Sequence, residues 1–516
     1  LTLLDPYLFG HEDWVPEVGR GVAVAGSRAA NTPGHFRCVG MAPSSEIYLV
    51  DFGLDSFYKK GTVDSDLNKL LWAAEQQVDI VLFEFGTWGI TFLDGSTNLE
   101  HAMDELSLEK GIIQVAAAGN LGGKGKHMFH EFPEGDTALD VIVPRRWGSG
   151  KAKKYSPSNL YLSLYWEGEA EDIDLTLTLP EGFPGKVEGE IEVPVHTEEP
   201  VQIGWDLYLT SFSAKSSRGF MLRFVTVFRD EGQGMPTGVW NWSLHNNSGA
   251  QLPVHGYLKD SQTSWSTSVK FAKWKTSYTT LCHPATADTA ITVGAYGARF
   301  CPEKKIGKLR YYSSRGPRMD GVLGLDITAP ADPYAPSPNL TKSVLVDGEH
   351  MFGGYREFSG TSGAAPHVAG TLALLKQFSP DASPAELLAM LAKGARVEHL
   401  MVSKNLAKKW GHGKLDAFAA AFGDSPPEFP TAEETIEQVE LSPESVAEPS
   451  PEIWDRPEPF PDVTGAELTG ADPPPEKSGG CGCRAAAGPS GPPWALLLLL
   501  LGVRMFLHRF DAWRRL

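Results

Sequence analysis

Apolar positions along the chain change texture three times. Leu1 to Leu4, Val78 to Phe85 and Gly111 to Ala118 are short, nearly unbroken apolar runs. Runs of this kind predict strands of a parallel sheet buried on both faces, the first delivering Asp5 at its C-terminal edge. Between them, Leu67, Leu70, Leu71 and Ala74 recur at helical spacing, predicting a helix over Asp64 to Gln77 capped by Asp64 or Ser65. A second helix is expected from about Asn98 to Lys110, a third beginning near Ser362, and a fourth opened by Ser383 or Pro384 and running through Ala392. Strands and helices in this alternation give an α/β doubly wound parallel sheet with its site at the carboxyl edge of the strands.

From Lys124 to about Thr280 helical periodicity is absent and the pattern alternates. Leu160, Leu162 and Leu164, then Ile173, Leu175, Leu177 and Leu179, read as two strands joined by a turn at Gly168. Val201 to Leu209, Met221 to Phe228 and Val239 to Leu244 add three more, with aromatic positions at Trp166, Trp205, Trp240 and Trp242. The expectation is an inserted antiparallel β-sandwich over residues 124–280. The stretch PTGVWNWSLHN, Pro236 to Asn246, resembles a segment of jelly-roll modules. Bracing the larger domain is the favoured role for such an insert, ahead of binding a partner or shielding a cleft.

Residues 424–480 are rich in Pro and Glu with few large apolar side chains, so they cannot bury a core and are expected to be an extended linker. Beyond it, residues 481–516 join Cys481-Gly482-Cys483-Arg484 to an apolar run from Trp494 to Val503 and a basic end at Arg504, Arg509, Arg514 and Arg515. This arrangement resembles the sorting tail of myxobacterial surface proteins, and it implies export and attachment to the cell surface or outer membrane. A plain C-terminal membrane anchor is the alternative. The chain begins at Leu1 with neither Met nor a signal peptide, which reads as a fragment or processed form.

A formal charge of −18 argues against nucleic acid as a partner, because phosphate contacts need a basic surface. Five cysteines are too few for a disulfide scaffold; in an exported protein Cys282 and Cys301 are available to pair, a point the sequence leaves open, and Cys38 reads as a buried apolar position. No cofactor is implied, and no acidic loop has a spacing diagnostic of structural calcium.

The candidate chemistry centres on Gly360 to Gly370, GTSGAAPHVAG. A serine among small residues at the start of an apolar helix leaves room for a peptide backbone, and the helix N-terminus offers free N–H groups to an oxyanion. Pro366 is expected within the first helical turn. The whole string closely resembles the nucleophile motif of the subtilisin-like serine proteases, the subtilases, which makes Ser362 the nucleophile. Other stretches resemble the same family in order. Asp5 through Trp14 is similar to the segment carrying the triad Asp, with Pro6-Tyr7 in place of the usual small pair. Ala116-Ala117-Ala118-Gly119-Asn120 matches the oxyanion-hole signature, with Asn120 the donor. Glu84-Phe85-Gly86 resembles a wall of the substrate cleft, with the Glu84 carboxylate in place of a small Ser and the backbone role kept, so Phe85 and Gly86, with Gly360 and Thr361, are the implied peptide-binding positions. Pro284 to Ala295, Tyr312 to Pro330 and Gly411 to Ala417 complete the match, which implies a discontinuous peptidase domain over residues 1–123 and 281–423.

The departure is at the general base. Gly19-Arg20-Gly21-Val22-Ala23 to Gly26 resembles the helix that carries the catalytic His, and Arg20 occupies the His position, 15 residues after Asp5. A guanidinium has no lone pair with which to take a proton, so it cannot act as general base. An Asp5–Arg20 ion pair would be structural. His11, His35, His127, His130 and His367 are other imidazoles in the chain; a solvated or capping role is expected of each, with His35 the first to test as a substitute. The resemblance therefore implies a surface-anchored serine endopeptidase homologue, acting on a peptide or protein, whose Asp-His-Ser triad is incomplete. The alternatives are an active endopeptidase using another His and a pure peptide-binding or scaffold pseudoprotease.

Overall fold

A computed structural model of the chain describes residues 2–5, 40–51, 65–144, 157–229 (apart from 182, 184 and 186), 234–260, 269–298, 306–332, 334–336, 344–346, 349–351, 355–398, 401 and 405–423. Arg20, His11, His35, Cys38, Cys301, the linker 424–480 and the tail 481–516 lie outside the described residues.

The chain opens with strands β1 (Thr2–Asp5) and β2 (Tyr48–Asp51), helix α1 (Ser65–Glu75), strand β3 (Ile80–Phe83), helix α2 (Asn98–Lys110) and strand β4 (Ile113–Ala117). Antiparallel strands follow: β5 (His127–Phe132), β6 (Gly135–Val143), β7 (Asn159–Glu167), β8 (Ile173–Thr178), β9 (Ile191–Glu192), β10 (Val201–Gln202), β11 (Leu207–Lys215), β12 (Phe220–Arg229), β13 (Gly238–Asn246), β14 (Leu252–Asp260) and β15 (Lys270–Phe271). Then come β16 (Ile291–Tyr296), β17 (Ile327–Pro330), the short pairs β18 (Tyr334–Pro336) with β21 (Tyr355–Glu357) and β19 (Val344–Val346) with β20 (Glu349–Met351), and helices α3 (Thr361–Phe378), α4 (Pro384–Gly394), α5 (Leu406–Trp410) and α6 (Ala417–Phe422).

A six-stranded parallel sheet in the order β17-β16-β4-β3-β1-β2 carries the site. Its central strands β3, β4 and β16 are buried at every position, which is why β3 and β4 read as unbroken apolar runs. Helix α3 packs Val368, Leu372 and Leu375 against Leu82, Val115 and Val293 on one face. Helices α1 and α2 cover the other face, with Leu70, Leu99 and Met103 against Val81 and Phe83. The helix ends follow local rules. Thr97 and Glu100 form a capping box at the start of α2, Gly111 closes it with φ 69°, and Ser383 with Glu386 caps α4 with Pro384 in its first turn.

The antiparallel strands form a six-stranded sheet, β10-β11-β12-β7-β14-β5, and a five-stranded sheet, β15-β6-β13-β8-β9, which share one hydrophobic cluster including Trp166, Trp240 and Trp242. Three sequence expectations need correction here. Gly168 does not close a hairpin, because β7 pairs with β12 and β14 while β8 pairs with β13 in the other sheet; residues 168–172 carry the chain between sheets. Val201 to Leu209 is not one strand, since 203–206 turn between β10 and β11. Trp205 sits in that turn and is 77% exposed, so it is not a core position.

The parallel part and the antiparallel part meet across a second apolar layer. Successive side chains of β12 point to opposite faces: Met221, Val225 and Val227 enter the cluster between the two antiparallel sheets, whereas Phe220, Leu222 and Phe224 pack with Trp88, Leu93, Leu121, Cys282 and Met319. Every position of β12 from Phe220 to Val227 is therefore buried, which hides the alternation that usually marks an antiparallel strand. A charged network of Arg218, Asp288, Arg318 and Asp320 spans the same junction.

Candidate functional site

Because its strands are parallel, the sheet brings several functional positions to one edge. Asp5 is the last residue of β1, in register with Asp51. Glu84 follows β3, and Ala118-Gly119-Asn120 follows β4. Helix α3 begins above this edge, with Gly360 as its N-cap at φ 110°.

Gly360 has no side chain with which to cap the helix. Asn120 does this instead: its Oδ1 accepts from the Thr361 backbone N–H at 2.9 Å and from the Thr361 hydroxyl at 3.2 Å. The same hydroxyl accepts from the Gly119 N–H at 3.1 Å. These donors fix which end of the amide faces Thr361, and among the described residues no bond occupies Nδ2, which is left to donate. Gly360 lies close to this amide, since a Cβ at Gly360 would stand 3.3 Å from Nδ2. Gly119 is tighter still: at φ 103°, a Cβ there would meet Cys282 Sγ at 2.4 Å. Tyr312 supports the turn from the other side, its hydroxyl accepting from the Gly360 N–H at 3.1 Å.

Ser362 lies in the first turn of α3, 7% exposed, and its hydroxyl donates to the Glu84 backbone carbonyl at 3.2 Å. No described histidine is bonded to it. His367 faces its own helix, Nδ1 lying 3.0 Å from the Gly363 carbonyl. Pro366 falls inside α3 and not in its first turn, a correction to the sequence reading. It has no N–H for the Ser362 carbonyl four residues before it, so that carbonyl loses its usual helical partner.

The structure therefore brings Ser362, Thr361, Gly360, Asn120 and the Glu84 backbone together. Phe85 and Gly86 follow directly as a half-buried segment, with the Phe85 ring edge-on to Phe83 at 6.0 Å. Thr361, predicted to touch peptide, is buried and spends both its N–H and its hydroxyl on the Gly119–Asn120 turn. The Glu84 side chain is 2% exposed.

The structure also places Cys282 and overturns the reading of His127. Cys282 is a free thiol in contact with Gly119, and burial pushes its pKa up to about 12. His127 is neither solvated nor a cap: it is buried, 3.0 Å from His255 Nδ1 and stacked on Tyr257, and burial holds it well below the ordinary imidazole range. Among the described residues no group of three or more His, Cys, Asp or Glu side chains is arranged to hold a metal ion, and no helix is long and apolar enough to cross a membrane. A cleft of about 620 Å³ lies at the junction of the two parts, between Phe129, Trp274 and Tyr278 on one side and Pro317 and Met319 on the other; none of the Ser362 site residues lines it.

A serine at a helix N-terminus, an amide clamped beside it, and a parallel sheet beneath both are the architecture of an α/β serine hydrolase. The profile of the Subtilase family matches residues 14–150 and 272–417, together more than half of the chain, and the chain belongs to that family. It is similar to the subtilisin-like protease SBT4.14 of Arabidopsis thaliana, 34% identical over 113 residues, which are 21% of this chain and 15% of that protein. Serine protease AprX of Bacillus subtilis is 33% identical over 117 residues, 22% of this chain and 26% of that protein. The chain thus spans only a minor part of the length of these relatives. The solved Clostridium perfringens CspB protease shares the fold, with a TM-score of 0.59 at 20% identity over 79% of this chain and 81% of that one.

Proposed function

We propose that this chain is a surface-attached subtilase homologue that keeps a peptide-binding cleft but is impaired as an endopeptidase. In this reading Ser362 is the nucleophile, Asp5 the triad carboxylate and Asn120 the oxyanion donor. Arg20 stands at the general-base position, and Phe85, Gly86 and Gly360 line the peptide. Residues 1–123 and 281–423 form the peptidase domain, and the two antiparallel sheets are a jelly-roll-like β-sandwich inserted between them. Residues 481–516 serve as a myxobacterial-type sorting tail, consistent with a family whose members are commonly secreted.

The observation that carries the reading is the Ser362 hydroxyl donating to a main-chain carbonyl. An amide oxygen cannot relieve the hydroxyl of its proton, so this bond holds the serine without activating it. A guanidinium at position 20 offers nothing better. In subtilisin itself, removing the catalytic His costs about 10⁶ in kcat, and the oxyanion hole and binding alone retain about 10³ to 10⁴ over water. An intact Asn120 therefore does not compensate for the base.

Incubating the purified chain with fluorescein-labelled casein peptides tests this. The expected result is binding without turnover, the same for wild type and Ser362→Ala. Steady cleavage that disappears in Ser362→Ala would return the chain to the active endopeptidases.

A further inference from the structure

The segment that leaves the proposed peptide wall is held from outside the parallel sheet. Directly after Gly86, the N–H of Thr87 donates to the His283 carbonyl at 2.9 Å and its carbonyl accepts from the His283 N–H at 3.1 Å. The next residues turn against the outward face of the six-stranded antiparallel sheet. Trp88 is fully buried there, its indole N–H donating to the Leu258 carbonyl at 2.9 Å. The Ser163 hydroxyl donates to the Gly89 carbonyl, and the Tyr165 hydroxyl to the Thr91 carbonyl at 2.6 Å. Lys259 Nζ donates to the Thr87 hydroxyl at 3.2 Å and lies 5.5 Å from the centre of the Trp88 ring. Side chains on β7 and β14 thus reach alternate residues of the segment. Only two residues separate Trp88 from Phe85, and the Glu84 carbonyl is bonded to Ser362.

We infer that the outward face of this sheet sets the position of the Glu84–Gly86 wall, and that Ser163, Tyr165 and Lys259 are positioning residues for peptide binding. The inference rests on the reading of that wall as part of a peptide cleft. A peptide pairing along an extended wall needs its N–H and C=O groups at fixed depth, and a backbone anchored every second residue cannot drift. The chemistry here is unlike that of a generic packing seam. An apolar contact alone would cover Trp88, whereas Ser163 and Tyr165 donate to the backbone carbonyls of Gly89 and Thr91, His283 pairs with the Thr87 backbone, and Lys259 holds the Thr87 hydroxyl.

The test uses the full chain and a fluorescein-labelled Ala-Ala-Pro-Phe tetrapeptide, followed by anisotropy. Tyr165→Phe removes one hydroxyl and keeps the ring against Phe92 and Tyr257. Loss of the bond to the Thr91 carbonyl, in the segment that anchors the wall, is expected to weaken tetrapeptide binding roughly tenfold, and Ser163→Ala/Tyr165→Phe further. Tyr161→Phe, on the same strand but bonded to Asn159, is the control for stability: it is expected to bind within about twofold of wild type. In parallel, hydrogen exchange of the amides at 87–91 is expected to quicken by about tenfold in Tyr165→Phe, with α2 unaffected.

If Tyr165→Phe binds like wild type and its 87–91 amides exchange at the wild-type rate, the inference is overturned while the cleft reading stands. If wild type does not bind the tetrapeptide, the cleft reading and the role in peptide binding fall together. The exchange measurement then still decides whether the sheet holds the wall.

Discussion

Thr361 holds Asn120 by two bonds to the same amide oxygen, 2.9 Å from the backbone N–H and 3.2 Å from the hydroxyl. The pair joins the carboxyl edge of β4 to the start of α3 and leaves the Asn120 NH₂ group to donate elsewhere. The stability of this corner and its proposed oxyanion function thus depend on one backbone N–H and one hydroxyl. Thr361→Val keeps the shape, strands the Gly119 N–H and frees one side of the amide, and is expected to cost about 1–3 kcal/mol of unfolding free energy. Urea denaturation checks the magnitude. A loss below about 0.5 kcal/mol would mean that the backbone N–H of residue 361 holds the Asn120 amide without help from the hydroxyl.

Gly119 is predicted to be the least replaceable residue of the same turn. Its φ of 103° excludes ordinary side chains, and an alanine Cβ would lie 2.4 Å from Cys282 Sγ. Gly119→Ala combines backbone strain with overpacking and is expected to lose at least about 3 kcal/mol. Adding Cys282→Ala should restore only part of this, because it removes the clash and leaves the strained φ. Full recovery of thermal stability in the double variant would show that the backbone angle costs nothing.

The charged junction gives a graded prediction. Arg318 is buried, with Nη1 2.6 Å from Asp288 and 2.7 Å from the Thr286 carbonyl, whereas Arg218 bonds the same Asp288 from a partly solvated position. Removing Arg318 leaves the Thr286 carbonyl without its guanidinium donor and Asp288 and Asp320 with Arg218 alone, so Arg318→Ala is expected to cost about 2–3 kcal/mol. Arg218→Ala is expected to cost at most about 1 kcal/mol. Equal losses by calorimetry would contradict the difference in burial.

How much of this was legible in the sequence follows from physical range. The parallel strands were legible because burial on both faces writes an unbroken apolar run, and the meeting of the Asn120 turn with the start of α3 because both stretches resemble motifs of one family. The antiparallel sheets were less so. β5, β6 and β14 went unread, and β12 was bounded nearly correctly while its second buried face gave no sign of its partner. The support of the wall by Ser163 and Tyr165 left no local signal, since residues 74 positions apart meet only after two sheets have formed. His127 was misjudged for the same reason: its burial is decided by His255 and Tyr257, far along the chain.

That histidine pair makes stability respond to acid. Burial lowers His127 and pushes His255 down to about 4, so the unfolded chain takes up protons below pH 6.5 that the folded chain refuses. Stability is therefore lost as pH falls from 6.5 toward 4, by up to about 3 kcal/mol from His255. Asp326 acts in the opposite direction: burial raises it to about 6, and protonation below that pH favours the folded state. Comparing each single variant with wild type separates the two. In urea denaturation at pH 7 and 4.5, His255→Gln should shrink the acid loss and Asp326→Asn should enlarge it. Unchanged pH slopes in His255→Gln would place its ring in solvent.

The central claim is that the nucleophile and oxyanion donor are present while the proton acceptor is missing, and labelling of Ser362 by a fluorophosphonate probe tests it most directly. Wild type should label slowly, and Arg20→His should accelerate labelling by orders of magnitude, because it restores an imidazole where the family keeps one. Rapid labelling of wild type that is lost in His35→Ala, with no gain from Arg20→His, would contradict the account.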